Sequence, residues 1–184
     1  MLSSKIEKAV NEQINFELYS SYLYLAMSAD FTVKNFKGCA VWMRVQAQEE
    51  LVHAMKLFDF VNDRGGKPQM MTIEGPKTEW PDLKHAFEDA YKHEQIVTSN
   101  FNKLTDLAIK EKDHTSGVFF QWFLNEQIEE EANAKEIVDQ LRIIADNPQG
   151  LFMLDRELGA RIFTVPVGAE GVLAKTAGAA AAAP

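Results

Sequence analysis

Apolar and small residues recur every three or four positions through most of the chain, in long stretches. The first stripe is Ile6, Val10, Ile14, Ser21, Tyr24, Met27 and Phe31, the spacing of one helix face. Ser4 and Glu7 stand three apart at its start, which predicts a capping box and a helix from Ser4 to about Phe31. Phe36, Ala40, Met43, Ala47, Leu57 and Phe60 predict a second helix from Phe36 to Arg64, stopped by Gly65-Gly66. A third starts after Pro81-Asp82, carries Leu83, Phe87, Ala90, Val97, Phe101, Leu104 and Ala108, and breaks at Glu111-Lys112-Asp113. The fourth holds Phe119, Phe123, Ala134, Ile137, Leu141 and Ile144 and stops at Asp146-Asn147-Pro148. Asn147 as cap and Pro148 at the first helical position then open a short fifth helix with Leu151, Leu154, Leu158 and Ile162.

Between the second and third helices, residues 65–81 contain Gly65, Gly66, Gly75, Pro68, Pro76 and Pro81. At about 3.3 Å per residue this segment can span more than about 40 Å, the length of a helix of roughly 28 residues. That reach is what a connection along the outside of a bundle requires. The expected fold is all-α: an antiparallel four-helix bundle with a long crossover between helices 2 and 3 and a short fifth helix. One domain is expected over residues 1–163. Residues 164–184, rich in glycine and alanine, are expected to form an unstructured tail.

Composition narrows the function. A net charge of −8 leaves no basic surplus to neutralise phosphates, which removes nucleic acid as a partner. No run approaches the roughly 18 apolar residues of a membrane span, and no apolar core of a signal segment follows Lys5. The single cysteine, Cys39, excludes an intrachain disulfide and a cysteine-rich metal knuckle. Cytoplasmic residence is the default expectation.

The chemistry lies in interruptions of the stripes. Each long helix places a carboxylate where an apolar residue belongs: Glu17 after Val10 and Ile14 (or Gln13), Glu50 between Ala47 and His53, Glu94 between Ala90 and Val97, and Glu130 between Gln127 and Ala134. The helix midpoints fall at about residues 18, 50, 96 and 129, so each glutamate lies within roughly 3 Å of rise of its midpoint. Helices packed side by side share one middle layer, and the four carboxylates converge there. Four carboxylates in a low-dielectric core cannot all ionise without compensation, and metal is the natural compensator. Hard carboxylates with one imidazole and no thiolate suit a pair of iron ions. Glu50-x-x-His53 puts both side chains on one face, so that Glu50 can bridge two metals while His53 binds one.

Three motifs carry a family likeness: Asn15-Phe16-Glu17-Leu18-Tyr19-Ser20-Ser21-Tyr22-Leu23-Tyr24, Gln48-Glu49-Glu50-Leu51-Val52-His53-Ala54, and Asn125-Glu126-Gln127-Ile128-Glu129-Glu130-Glu131. With them the chain resembles prokaryotic non-haem ferritins of the ferritin-like di-iron family over about residues 1–163. The resemblance implies a ferroxidase that oxidises Fe(II) with O2 and stores the product as ferric oxyhydroxide within a shell of 24 subunits. It implies Glu17, Glu50 and His53 on one iron and Glu50, Glu94 and Glu130 on the other, with Gln127 and Tyr24 at or beside the pair. It further implies a third iron site at Glu49, Glu126, Glu129 and Glu130. The fourth helix carries Gln127-x-x-Glu130 without a second histidine, which implies weaker binding of the second metal. Leu51 stands where bacterioferritins carry a haem-ligating methionine, so no haem is expected. Tyr24 and Trp122 are candidate electron donors. Glu131 reads as a solvated residue, and His85, His93 and His114 receive no role. The acidic pair that lines three-fold channels in animal ferritins corresponds to Gly117 and Phe120 here, so the resemblance does not extend to that entry route.

Overall fold

In the computed structural model, which describes residues 2–172, the bundle is built from α1 (Ser4–Val33), α2 (Lys37–Asp63), α3 (Leu83–Lys110), α4 (His114–Ile144) and the short α5 (Pro148–Leu158). Most termini lie where the capping chemistry places them. Asp82 accepts from the His85 N–H at 2.8 Å and Asp113 from the Ser116 N–H at 3.1 Å. Asn147 accepts from Gln149 and Gly150 ahead of Pro148. The first helix differs by one residue. Ser3, not Ser4, is the cap, and the Glu7 carboxylate accepts from the Lys67 N–H at 3.0 Å instead of closing a capping box. The fifth helix ends at Leu158 and leaves Ile162 79% exposed, outside the stripe to which periodicity assigned it.

Helix direction follows from the two hydrophobic clusters. One joins Leu23–Phe31 of α1, Cys39–Ala47 of α2, Leu83–Ala90 of α3, Ile137–Leu141 of α4 and the inner face of α5. The other joins Ile6–Ile14, Leu57–Val61, Val97–Ala108 and Phe120–Phe123. Consequently α2 and α3 run parallel to each other and antiparallel to α1 and α4. The 64–82 connection must return the full bundle length, and it does so under restraint. Asn11 donates to the Lys67 carbonyl and accepts from the Gln69 N–H at 2.6 Å. Buried Trp80 donates through its indole to Asp89 at 3.0 Å, and its backbone N–H reaches Asp30. Among the described residues no helix is long and apolar enough to cross a membrane.

Residues 164–172, assigned by composition to an unstructured tail, lie against the bundle. The Trp122 indole donates to the Val167 carbonyl at 2.7 Å, Lys56 donates to the Gly168 carbonyl, and Ala169 is buried. The rest of that expectation, residues 173–184, lies outside the described residues.

The short helix α5 is seated by an unusually close crossing with α2. A β-carbon on Gly38 would lie 1.5 Å from the Asp155 carbonyl oxygen, and one on Gly159 would lie 3.0 Å from the Gly38 α-carbon. The Asp155 carboxylate accepts from the Cys39 N–H at 2.9 Å. It thereby serves the N-terminus of α2, for which Phe36 offers no side-chain cap. Gly38→Val is expected to push α5 off this seat, at more than about 2 kcal/mol, since backbone has nowhere to retreat. A melting temperature lowered by roughly 4–8 °C would register it; an unchanged one would show that the crossing carries no such weight.

Candidate metal centre

Between the two hydrophobic clusters lies a polar layer, and the mid-helix carboxylates occupy it. Glu17, Glu50, His53 and Glu94 are each about 1% exposed or less. Ligand atoms of Glu17, Glu50 and His53 fall within 4.8 Å of one another, and so do those of Glu50, Glu94 and Glu130. Glu50 belongs to both groups, as a bridging carboxylate must. The helical reason is simple: Glu17, Glu50, Glu94 and Glu130 each stand near mid-length, and His53 one turn after Glu50 shares its face.

Hydrogen bonding reaches one oxygen of Glu17 and of Glu50 and leaves the other unmet, whereas both oxygens of Glu94 are bonded. Gln13 donates to Glu17 Oε1 at 2.8 Å, Gln46 donates to Glu50 Oε1 at 3.2 Å and to Glu130, and Tyr24 donates to Glu94 Oε1. Gln127 donates to Glu94 Oε2 at 3.1 Å. Among the described residues, Glu17 Oε2, Glu50 Oε2 and both ring nitrogens of His53 are buried without a hydrogen-bond partner. Leaving one such group unmet costs roughly 2–7 kcal/mol in an apolar medium. Two unmet carboxylate oxygens and an imidazole within reach of one another fit a cation that completes its coordination, with carboxylate oxygen and imidazole suited to iron.

Electrostatics agrees. Burial, and then repulsion from Glu50, hold the Glu17 carboxyl well above its usual range. The same two causes raise Glu94 to about 8, and burial with Glu94 and Glu50 raises Glu130. Burial opposes ionisation of Glu50 too, but the adjacent His53, 3.6 Å away, outweighs it and holds that carboxyl below the ordinary value. Without metal, these effects favour charge on Glu50 and the proton on Glu17, Glu94 and Glu130. Tyr24 is pushed up by burial and by Glu94, so its hydroxyl remains a donor.

Glu49, Glu126, Glu129 and Glu130 line a single cleft of about 300 Å³ beside this centre. They do not converge as tightly as the two groups above, and Glu49 is already engaged: Arg161 donates to its carboxylate. Burial raises the Glu49 and Glu126 carboxyls, with Arg161 opposing it at Glu49. Glu131, read as solvated, accepts from the Thr98 hydroxyl at 2.5 Å. Phe120 is fully buried in the core. His93 is also buried, bonded to Ser20 at 2.7 Å and stacked on Phe16. Trp122 meets His53 edge to face at 5.5 Å. Sequence reasoning missed Gln46 and gave Gln13 no part in the chemistry, although a shared signal marks them, since each stands one turn ahead of a ligand glutamate. Arg161 lies outside the bundle pattern and carries no such signal.

An antiparallel four-helix bundle with carboxylates from all four helices and a Glu-x-x-His pair at mid-height defines the ferritin-like class of metal-binding proteins. The comparisons with known proteins agree. Residues 7–144 match the family of ferritin-like domains. A bacterial non-heme ferritin of Escherichia coli O6:H1 is 40% identical over 158 residues, covering 86% of this chain and 96% of the relative. One from Staphylococcus saprophyticus is 40% identical over 163 residues, covering 89% and 98%. Among solved structures, an open pore ferritin from Archaeoglobus fulgidus superposes with a TM-score of 0.87 at 47% identity, over 88% of this chain and all of that one. The chain belongs to the ferritin family, and its role is iron storage.

The protonated carboxylates give this site a pH signature. Glu94, raised in the folded metal-free protein, contributes stability that is complete below its unfolded value near 4.5 and is lost as pH rises through about 8. Metal-free protein should therefore melt lower at pH 8.5 than at pH 5.5, and Glu94→Gln should flatten that difference. Identical pH dependences in the two proteins would contradict the assignment.

Proposed function

We propose that this chain is a ferroxidase subunit that oxidises Fe(II) with O2 at a di-iron centre and deposits ferric oxyhydroxide inside a shell of 24 copies. The unit that does so is residues 1–163, acting in the cytoplasm. The observation that carries the reading is the shared position of Glu50 between two ligand groups whose buried acceptor atoms lack protein partners.

Iron is the substrate. Glu17, Glu50 and His53 receive one Fe(II), and Glu50, Glu94 and Glu130 the other. Gln127 positions Glu94 by its amide donor instead of binding metal directly. Arrival of two cations displaces the protons held on Glu17, Glu94 and Glu130 to solvent. Each Fe(II) gives one electron and O2 accepts both. The anionic ligand set favours the more highly charged Fe(III), and a bridged pair shares the charge change. Tyr24, bonded to Glu94, and Trp122, against His53, stand where a further electron can be supplied. Glu49, Glu126, Glu129 and Glu130 form the accessory iron site in the adjoining cleft.

Shell assembly is supported by the apolar surface of the single chain. Tyr22, Leu25, Met70, Met71, Ile73, Phe152, Met153 and Ile162 are each at least 37% exposed, apolar surface that contacts between copies would cover. The A. fulgidus neighbours are themselves described as ferritins.

Glu50→Ala combined with His53→Ala should abolish rapid Fe(II) oxidation while the helical circular dichroism is kept, because removing buried charged groups need not destabilise metal-free protein. Wild-type oxidation rates in that variant would defeat the assignment. Sedimentation at micromolar concentration should give a closed assembly near 24 times the 20.7 kDa chain mass; a stable monomer would exclude the shell.

A further inference from the structure

Arg161 follows α5 and reaches back into the cleft beside the metal centre. Its guanidinium stacks over the Trp42 ring, 4.4 Å from the centroid. One nitrogen donates to Gln46 Oε1 at 2.9 Å and another to the Glu49 carboxylate. The Arg161 side chain is 21% exposed and that of Glu49 is 13% exposed, so the pair is largely shielded from solvent.

The contact with Gln46 matters because an amide has one acceptor and two N–H donors. With its oxygen held by a guanidinium, Gln46 must turn its NH2 group the other way. That group meets Glu50 Oε1 at 3.2 Å and Glu130 Oε2. Without the guanidinium either orientation of the amide is open, and one of them sets oxygen against two carboxyl groups. Arg161 thus fixes how two ligands of the primary pair are held, without touching either.

The same guanidinium occupies one side of Glu49, a carboxylate of the accessory cleft. We infer that Arg161 is a built-in cation of this cleft, a positioning residue that competes with an accessory metal ion for Glu49 and orders Glu50 and Glu130 through Gln46. A divalent ion at Glu49, Glu126 and Glu129 would meet a fixed positive charge on its own ligand, and must loosen the Glu49–Arg161 pair to bind. Filling of the accessory site is thereby coupled to the Gln46 bridge and to the ligand geometry of the primary pair. The inference rests on the accessory-site reading and adds to it a reason for weak binding at that site.

Titration of the assembled, metal-free protein with Zn(II) under calorimetry tests this without redox chemistry. Wild type should take three ions per chain, the third most weakly. Arg161→Gln should bind the third about fivefold to tenfold more tightly. Arg161→Lys, which keeps the charge but cannot fork between Gln46 and Glu49, should fall between the two. An unchanged third affinity in Arg161→Gln, or equal tightening in both variants, would overturn the competition. A wild type that takes only two ions would instead remove the accessory site itself, and this inference with it. Should Arg161→Gln not fold, the lysine variant decides alone: a third ion bound no more tightly than in wild type counts against the proposal.

Discussion

Burial of four carboxyl groups in one layer of an apolar bundle is the constraint on which the rest of this structure turns. The layer divides the interior into two hydrophobic clusters, one on each side of the candidate metal centre. Each cluster grips all four helices, so the helices cannot slide without moving carboxylates out of register. The energetic consequence runs the other way too. A group such as Glu17, fully buried with one oxygen unmet, lowers the stability of the metal-free fold, and iron binding recovers it. The site is held ready for cations by packing that would otherwise disfavour it.

Neutral donors make that arrangement tolerable. Gln13, Gln46, Gln127 and Tyr24 each give a hydrogen bond to a carboxyl of this layer, leaving one oxygen of Glu17 and one of Glu50 unmet. An amide or phenol satisfies an oxygen without adding a charge that would compete with metal. Arg161, a formal cation drawn into this network, acts at one remove through Gln46 and stands at the edge, where part of its charge remains hydrated. Placement of that residue depends on α5, and α5 depends on a glycine crossing where no side chain fits. A feature far from the chemistry in sequence thus bears on it through backbone contact.

Much of this was legible in the residues. Period and capping chemistry gave four long helices and a short fifth, because side chains three and four apart on a helix share a face whatever surrounds them. Mid-helix placement of Glu17, Glu50, Glu94 and Glu130 was enough to bring them together, since side-by-side helices of similar length share a middle. The long, glycine- and proline-rich connection had the reach of a crossover along the outside of the bundle, because a segment of that length can span a whole helix.

Tertiary structure decided what depends on contacts between distant segments. The bonding of both Glu94 oxygens, the shifts that favour charge on Glu50 and the proton on Glu94, and the bridge from Gln46 to Glu130 follow from neighbours on other helices. Composition misjudged residues 164–172 for the same reason: glycine and alanine predict little structure by themselves, but Val167 and Gly168 are held by Trp122 and Lys56 of the bundle. Glu131, ordinary on its own helix, has its partner in Thr98 of α3. Sequence determined which groups share a face and a depth, because those are properties of one helix. Which atom of each group is left to meet iron is a property of four helices packed together, and no single stretch of chain contains it.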